Sequence, residues 1–209
     1  MTRATVATIE TFIVTLPRDV PYLGPLAADE TVNARGYFVR RGNRTVYPMT
    51  DRSVLIKVTG SDGSIGWGET YGIVAPQAVV VLIDDLLAPF VIGRDPREAE
   101  AIWQDLYDLQ RVRGASGGYY GDALAGLDIA LHDLACRIEG VALSEWLGGG
   151  TATRIPAYVS GLPYGWLDER LARAQTFVEG GYRAVKVAAP AASEGIVTEM
   201  RALREKLGA

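Results

Sequence analysis

From residue 155 onward the chain alternates short β-branched runs with long amphipathic ones, and nothing else in it constrains the fold as tightly. The runs are IPAYVSGL, DERLARAQTFVEGGY, AVKVAA and SEGIVTEMRALREKLG, which predict strand, helix, strand and helix. Such alternation builds parallel βαβ units, and a closed barrel of them takes about 250 residues. Residues 151–209 hold the first quarter of one. The expected architecture is an α+β domain over residues 1–150, followed by the first two βα units of an incomplete, truncated (β/α) TIM-type barrel over residues 151–209. A function that needs the closed barrel is not expected of these residues alone.

Upstream, TVATIETFIVTL (5–16) is rich in β-branched residues and ends at Pro17, which predicts a strand. Residues 18–52 are polar and irregular, broken by Pro21, Gly24, Pro25, Gly36, Gly42 and Pro48. A connection this long in a compact domain is functional or mobile. SVLIKVTG, the turn SDGS and IGWGET then read as a hairpin, with Asp62-Gly63 supplying the backbone that a tight turn demands. Three helices are expected next. The first runs over 76–88 and stops at Pro89. The second opens at Asp95-Pro96, as N-cap and first helical residue. The third, 122–139, stripes Leu124, Leu127, Leu131, Leu134 and Ile138 at helical spacing and ends at Gly140.

Several function classes are disfavoured. A net charge of −4 and a pI near 5.1 argue against a nucleic-acid partner. The single cysteine, Cys136, excludes an intrachain disulfide and is expected to be buried and inert. No uncharged apolar run approaches membrane length, and AVVVLI (78–83) meets Asp84 and Asp85 at once. No membrane partner and a cytoplasmic location are therefore expected. His132, the only histidine, has no second histidine and no carboxylate at ligand spacing, so it reads as a packing or surface residue. GASGGYYG (114–121) lacks the preceding strand and Lys-Ser/Thr ending of a phosphate loop and reads as a helix connection.

Four phrases, in order along nearly the whole chain, carry a resemblance: DGSIGWGET (62–70), IGRDPREAEAIWQDLY (92–107), ALAGLDIALHDLACRIEGVALSEWLGG (123–149) and GYRAVKVAA (181–189). Together they resemble the enolase superfamily, and within it the mandelate racemase/muconate lactonizing enzyme family. The resemblance implies an enolase-like N-terminal capping domain packed on a modified barrel. It implies abstraction of the proton α to a carboxylate, with the enediolate held by Mg²⁺. It also implies a small-molecule carboxylate substrate and a homo-oligomer. The metal carboxylates are implied at the ends of the third, fourth and fifth barrel strands, beyond Ala209, so no metal ligand is expected among these residues.

Lys186 lies at the C-terminal end of the second barrel strand, the face on which barrel active sites are built. The resemblance implies Lys-x-Lys there, the second lysine acting as base and the first standing near the substrate carboxylate. This chain reads Lys186-Val187-Ala188. Ala188 cannot move a proton, which disfavours a two-base racemisation and leaves Lys186 as electrostatic partner of the carboxylate. The base would come from later strands, such as a His–Asp pair. The alternative for Lys186 is an ion-paired strand lysine.

Within 18–52, Tyr22, Arg35, Tyr37, Arg40 and Tyr47, with Arg41 and Arg44, suit a polyhydroxylated acid: arginine grips carboxylates and tyrosine bonds hydroxyls. The alternative is a solvated loop. Asp51 is expected to cap a local N–H, and Glu69 to tie the capping domain to its helices. The expected reaction is dehydration of a sugar acid by a lyase, with racemisation, epimerisation or cycloisomerisation as isomerase alternatives. The 209-residue chain by itself is expected to be an inactive, non-catalytic fragment.

Overall fold

The computed structural model describes residues 3–150, 154–162, 165–187 and 194–208. Strand Val6–Pro17 (β1) is followed by a small antiparallel ribbon, Tyr37–Val39 (β2) with Val46–Pro48 (β3). Thr50–Gly60 (β4) and Ile65–Tyr71 (β5) form the predicted hairpin. The sheet order is β1-β4-β5, antiparallel throughout. Its turn behaves as its residues require: Gly63 takes a φ of 85°, and Asp62 Oδ1 accepts the Ser64 N–H at 3.0 Å.

Alternation along β4 points Val54, Ile56 and Val58 to one face, where all three are fully buried. Helix Tyr119–Glu139 (numbered α4 below) covers that face with Leu127, Ala130, Leu131 and Leu134. It begins three residues before the predicted start, and its end at Gly140 is as expected, in the left-handed region. The approach is close because β5 presents Gly66 and Gly68 to it.

The first helix departs from expectation. Pro89 does not stop it. Pro76–Val81 (α1) runs into a π-helical turn, Leu82–Leu87, and continues as Ala88–Val91 (α2). A proline inside an α-helix crowds the carbonyl four residues back and leaves it without a donor. The π turn relieves this by re-spacing the ladder, with the Ala88 N–H donating to Ile83 O. The local rule for proline held, but the helix absorbed it.

Asp95-Pro96 behaves as read. A 3₁₀ turn, Pro96–Glu98, leads into Ala99–Arg111 (α3), and Asp95 Oδ1 accepts the Arg97 N–H at 3.0 Å. Burial pushes the Asp95 carboxyl up, but the Arg97 amide and guanidinium, with Arg3 at 3.4 Å, outweigh it and hold it below the usual range. A depressed folded pKa contributes stability that is complete above the unfolded value of about 3.9. It is lost as pH falls through the folded value. Asp95→Ala should therefore destabilise by about 1 kcal/mol at pH 7. That difference should shrink below about pH 4 in acid titrations followed by circular dichroism. A deficit unchanged by pH would refute the role of its charge.

Leu143–Trp146 (α5) completes the first of two compact units, which comprises Met1–Asp19, Thr31–Val39 and Thr45–Thr151. The second comprises Val20–Glu30, Arg40–Arg44 and Ala152–Ala209. Within it Val159–Ser160 (β6), Leu167–Glu179 (α6), Val185–Lys186 (β7) and Ile196–Leu207 (α7) follow in the predicted order. The two strands pair parallel, though each is shorter than its apolar run, and Ala188 lies outside the described residues. Helices α6 and α7 are joined by a buried ion pair, Arg170 Nε to Glu199 Oε1 at 2.7 Å. No single helix among the described residues is long and apolar enough to cross a membrane.

Candidate functional site

In the second unit the parallel pair fixes where Lys186 stands. Val159 is opposite Val185 and Ser160 is opposite Lys186, and the Gly161 N–H donates to Lys186 O at 3.0 Å. Both Ser160 and Lys186 therefore sit at the C-terminal ends of their strands, side by side, and Lys186 is exposed. A cation and a hydroxyl at neighbouring strand ends can hold a carboxylate: the ammonium supplies charge and the hydroxyl a directed hydrogen bond. Ser160 escaped the sequence reading because its significance comes from strand register.

The same unit contains Val20–Glu30 and Arg40–Arg44, two pieces of the long connection. Arg40 is buried and binds this loop to itself. Its Nε donates to Tyr22 O at 2.7 Å, and its Nη1 donates to Pro25 O at 3.0 Å and Glu30 Oε2 at 2.5 Å. Its Nη2 donates to Gly24 O. Glu30 also accepts the Ala27 and Arg41 N–H groups, which with Arg40 hold its carboxyl below the usual range despite burial. Tyr22 and Arg40 are thus brought together, with Tyr22 contributing its carbonyl. These bonds commit Arg40 to loop structure. Arg41 is exposed and pairs with Asp29 at 2.7 Å.

Arg35, Tyr37 and Tyr47 belong to the first unit. Tyr47 is half-buried on β3, its ring 6.2 Å from Phe38. Arg35 and Tyr37 line one cleft together with Arg52, which the sequence reading did not single out. Arg52 Nη1 donates to the Tyr37 hydroxyl at 2.7 Å, and its guanidinium lies 4.9 Å above the Tyr37 ring. The only signal for it was its place at the start of a buried strand.

Other expectations resolve simply. Asp51 takes an ion pair from Arg18 at 2.6 Å, and Glu69 accepts the Ser53 hydroxyl at 2.5 Å, across the sheet rather than towards a helix. Cys136 is buried, and burial pushes its thiol up, which suppresses the thiolate. His132 does have a carboxylate neighbour, Asp128 one turn earlier at 3.7 Å. Its Nδ1 accepts the Trp146 indole N–H at 3.1 Å, so the ring anchors α5. Among the described residues no three His, Cys, Asp or Glu side chains gather to hold a metal ion.

Residues 43–148 match the model of the mandelate racemase/muconate lactonizing enzyme N-terminal domain. The chain is 39% identical over 108 residues to a D-galactarolactone cycloisomerase from Agrobacterium fabrum, covering 52% of this chain and 28% of that protein. It is 34% identical over 136 residues to a D-galactonate dehydratase family member from Paenibacillus sp. (strain JDR-2), covering 64% and 32%. Among solved structures, a member of the enolase superfamily from Agrobacterium tumefaciens superposes with a TM-score of 0.91 at 53% identity, over 99% of this chain and 53% of that one. A mandelate racemase/muconate lactonizing protein from Paracoccus denitrificans, solved with magnesium, shares the fold at a TM-score of 0.69 and 23% identity, over 99% and 49%. The chain therefore spans about a third of the length of the curated relatives and about half of the solved ones.

Proposed function

This chain belongs to the mandelate racemase/muconate lactonizing enzyme family of the enolase superfamily, and from that premise we propose that it serves the removal of a proton α to a carboxylate, in the dehydration of a sugar acid. The observation that carries the reading is Lys186 beside Ser160 at the C-terminal ends of two parallel strands. A proton next to a carboxylate is weakly acidic, so its removal builds negative charge on the acid group. The Lys186 ammonium is stationed to offset that charge, and the Ser160 hydroxyl to orient the group. Within the same unit, Arg40 and the Tyr22 carbonyl hold the loop Val20–Glu30 in shape.

When bound, magnesium would polarise the carboxylate. The described residues do not make a site for it, and its ligands are proposed to lie on later barrel strands. Residues 1–209 by themselves are accordingly proposed to be inactive. The assembled enzyme is proposed to be a homo-oligomer.

The test is an assay of a polypeptide carrying this chain within a complete barrel, supplied with Mg²⁺ and a panel of aldonic and aldaric acids. Dehydration gives a 2-keto-3-deoxy product that forms a semicarbazone. Lys186→Met is expected to lower kcat by a factor of about 100 or more, the scale of losing one preorganised charge. No semicarbazone from any acid, or full activity in Lys186→Met, would sink the proposal. The 39% identity to a cycloisomerase favours a second reading. Under it, a lactone rather than a free aldonic or aldaric acid would be the substrate consumed.

A further inference from the structure

We propose that the cleft lined by Arg35, Tyr37 and Arg52 is a binding site for an oxyanion, the carboxylate of a sugar acid or a phosphate group. The cleft encloses about 590 Å³, and no aspartate or glutamate lines it. Two guanidinium groups reach it, and neither is paired with a carboxylate among the described residues. Arg35 is exposed and its side chain has no described partner; Arg52 is half-buried and bonds only to neutral oxygens. A half-buried cation without a counter-ion is costly unless a ligand provides one.

The orientation of the donors is fixed in advance. Arg52 places Nε on the Thr50 hydroxyl at 3.1 Å and one Nη1 N–H on the Tyr37 hydroxyl, which leaves the second Nη1 N–H and both Nη2 N–H groups without a partner among the described residues. The Tyr37 oxygen accepts twice, from Arg52 and from the Ala75 N–H at 3.1 Å. Its own proton is then left to donate, and the ring lies on the cleft wall. One hydroxyl and two guanidinium groups facing an acid-free cleft match the donor set that oxyanions accept. Ala75 is held at φ 49° and ψ 53°, a region costly for alanine, by the same hydroxyl.

The choice of a sugar-acid carboxylate rests on the function proposed above. The demand for an oxyanion rests on the cleft alone. Calorimetric titration of the 209-residue chain with sodium gluconate and, separately, inorganic phosphate separates the two, with sodium chloride at matched ionic strength as control. One saturable site is expected, with affinity falling about tenfold or more in Arg35→Met and in Arg52→Met. Arg52 also steadies Tyr37, so the exposed Arg35 keeps the test valid if Arg52→Met fails to fold. Binding of gluconate assigns a sugar-acid carboxylate; binding of phosphate alone keeps the oxyanion site and removes the sugar acid from it. No heat beyond the chloride control, or unchanged affinity in Arg35→Met, overturns the inference. Neither failure touches the semicarbazone assay, so the two proposals fail separately.

Discussion

Gly68→Ala is expected to lower the melting temperature of the chain by about 6–12 °C, a loss near 3 kcal/mol at the usual 2–4 °C per kcal/mol for this size. A Cβ at Gly68 would lie 2.1 Å from Gly126 O and 2.8 Å from Ala130 N, both backbone atoms of α4. Side chains can rotate away, but a helix backbone cannot. The helix would have to lift from the sheet as a body, drawing Leu127, Leu131 and Leu134 off Val54, Ile56 and Val58. Gly121→Ala, in the same helix with open space around it, is the control. It should be neutral or stabilising by up to about 1 kcal/mol. Equal melting temperatures for the two variants would show that close approach is not what glycine provides at position 68.

The second large effect belongs to the other unit. Arg170 and Glu199 are 1% and 0% exposed, and Arg170 also donates to Leu162 O at 3.1 Å. Removing one member takes the opposite charge away from a buried ion, a loss of about 3–5 kcal/mol. Glu199→Met and Arg170→Met should each abolish slow amide exchange in α6 and α7. The double variant, which leaves no buried charge, should recover most of it. Single variants no worse than ordinary surface changes, within about 0.5 kcal/mol, would show that the pair does not hold these helices together.

Features set by neighbouring residues were legible in the sequence. The hairpin follows from Asp62-Gly63 and alternating valines, the second helix from Asp95-Pro96, and the end of α4 from Gly140. The strand end carrying Lys186 was legible because an apolar run and its direction suffice to place it. What escaped depends on contacts far along the chain. Arg40 read as a substrate-binding arginine because its loop partners are mostly backbone carbonyls, which leave no mark in a sequence. Ser160 acquires meaning from pairing with β7, and Arg52 from a tyrosine fifteen residues away. Pro89 was misread for a different reason: a π turn can accommodate proline, and nothing in LIDDLL announces one. Asp128, one turn before His132, was visible and overlooked.

The bonds that Arg40 makes within its loop have a thermodynamic consequence for any ligand the loop covers. A polar segment of this kind ordinarily exists as many conformers, and a ligand that needs one of them spends binding free energy on selecting it. Here Glu30 and Arg40, with the carbonyls of Tyr22, Gly24 and Pro25, complete that selection when the chain folds. The entropy is surrendered once, at folding, where the stability of the unit offsets it. A molecule arriving later meets a surface already in one shape, and the free energy of its contacts goes into affinity and discrimination.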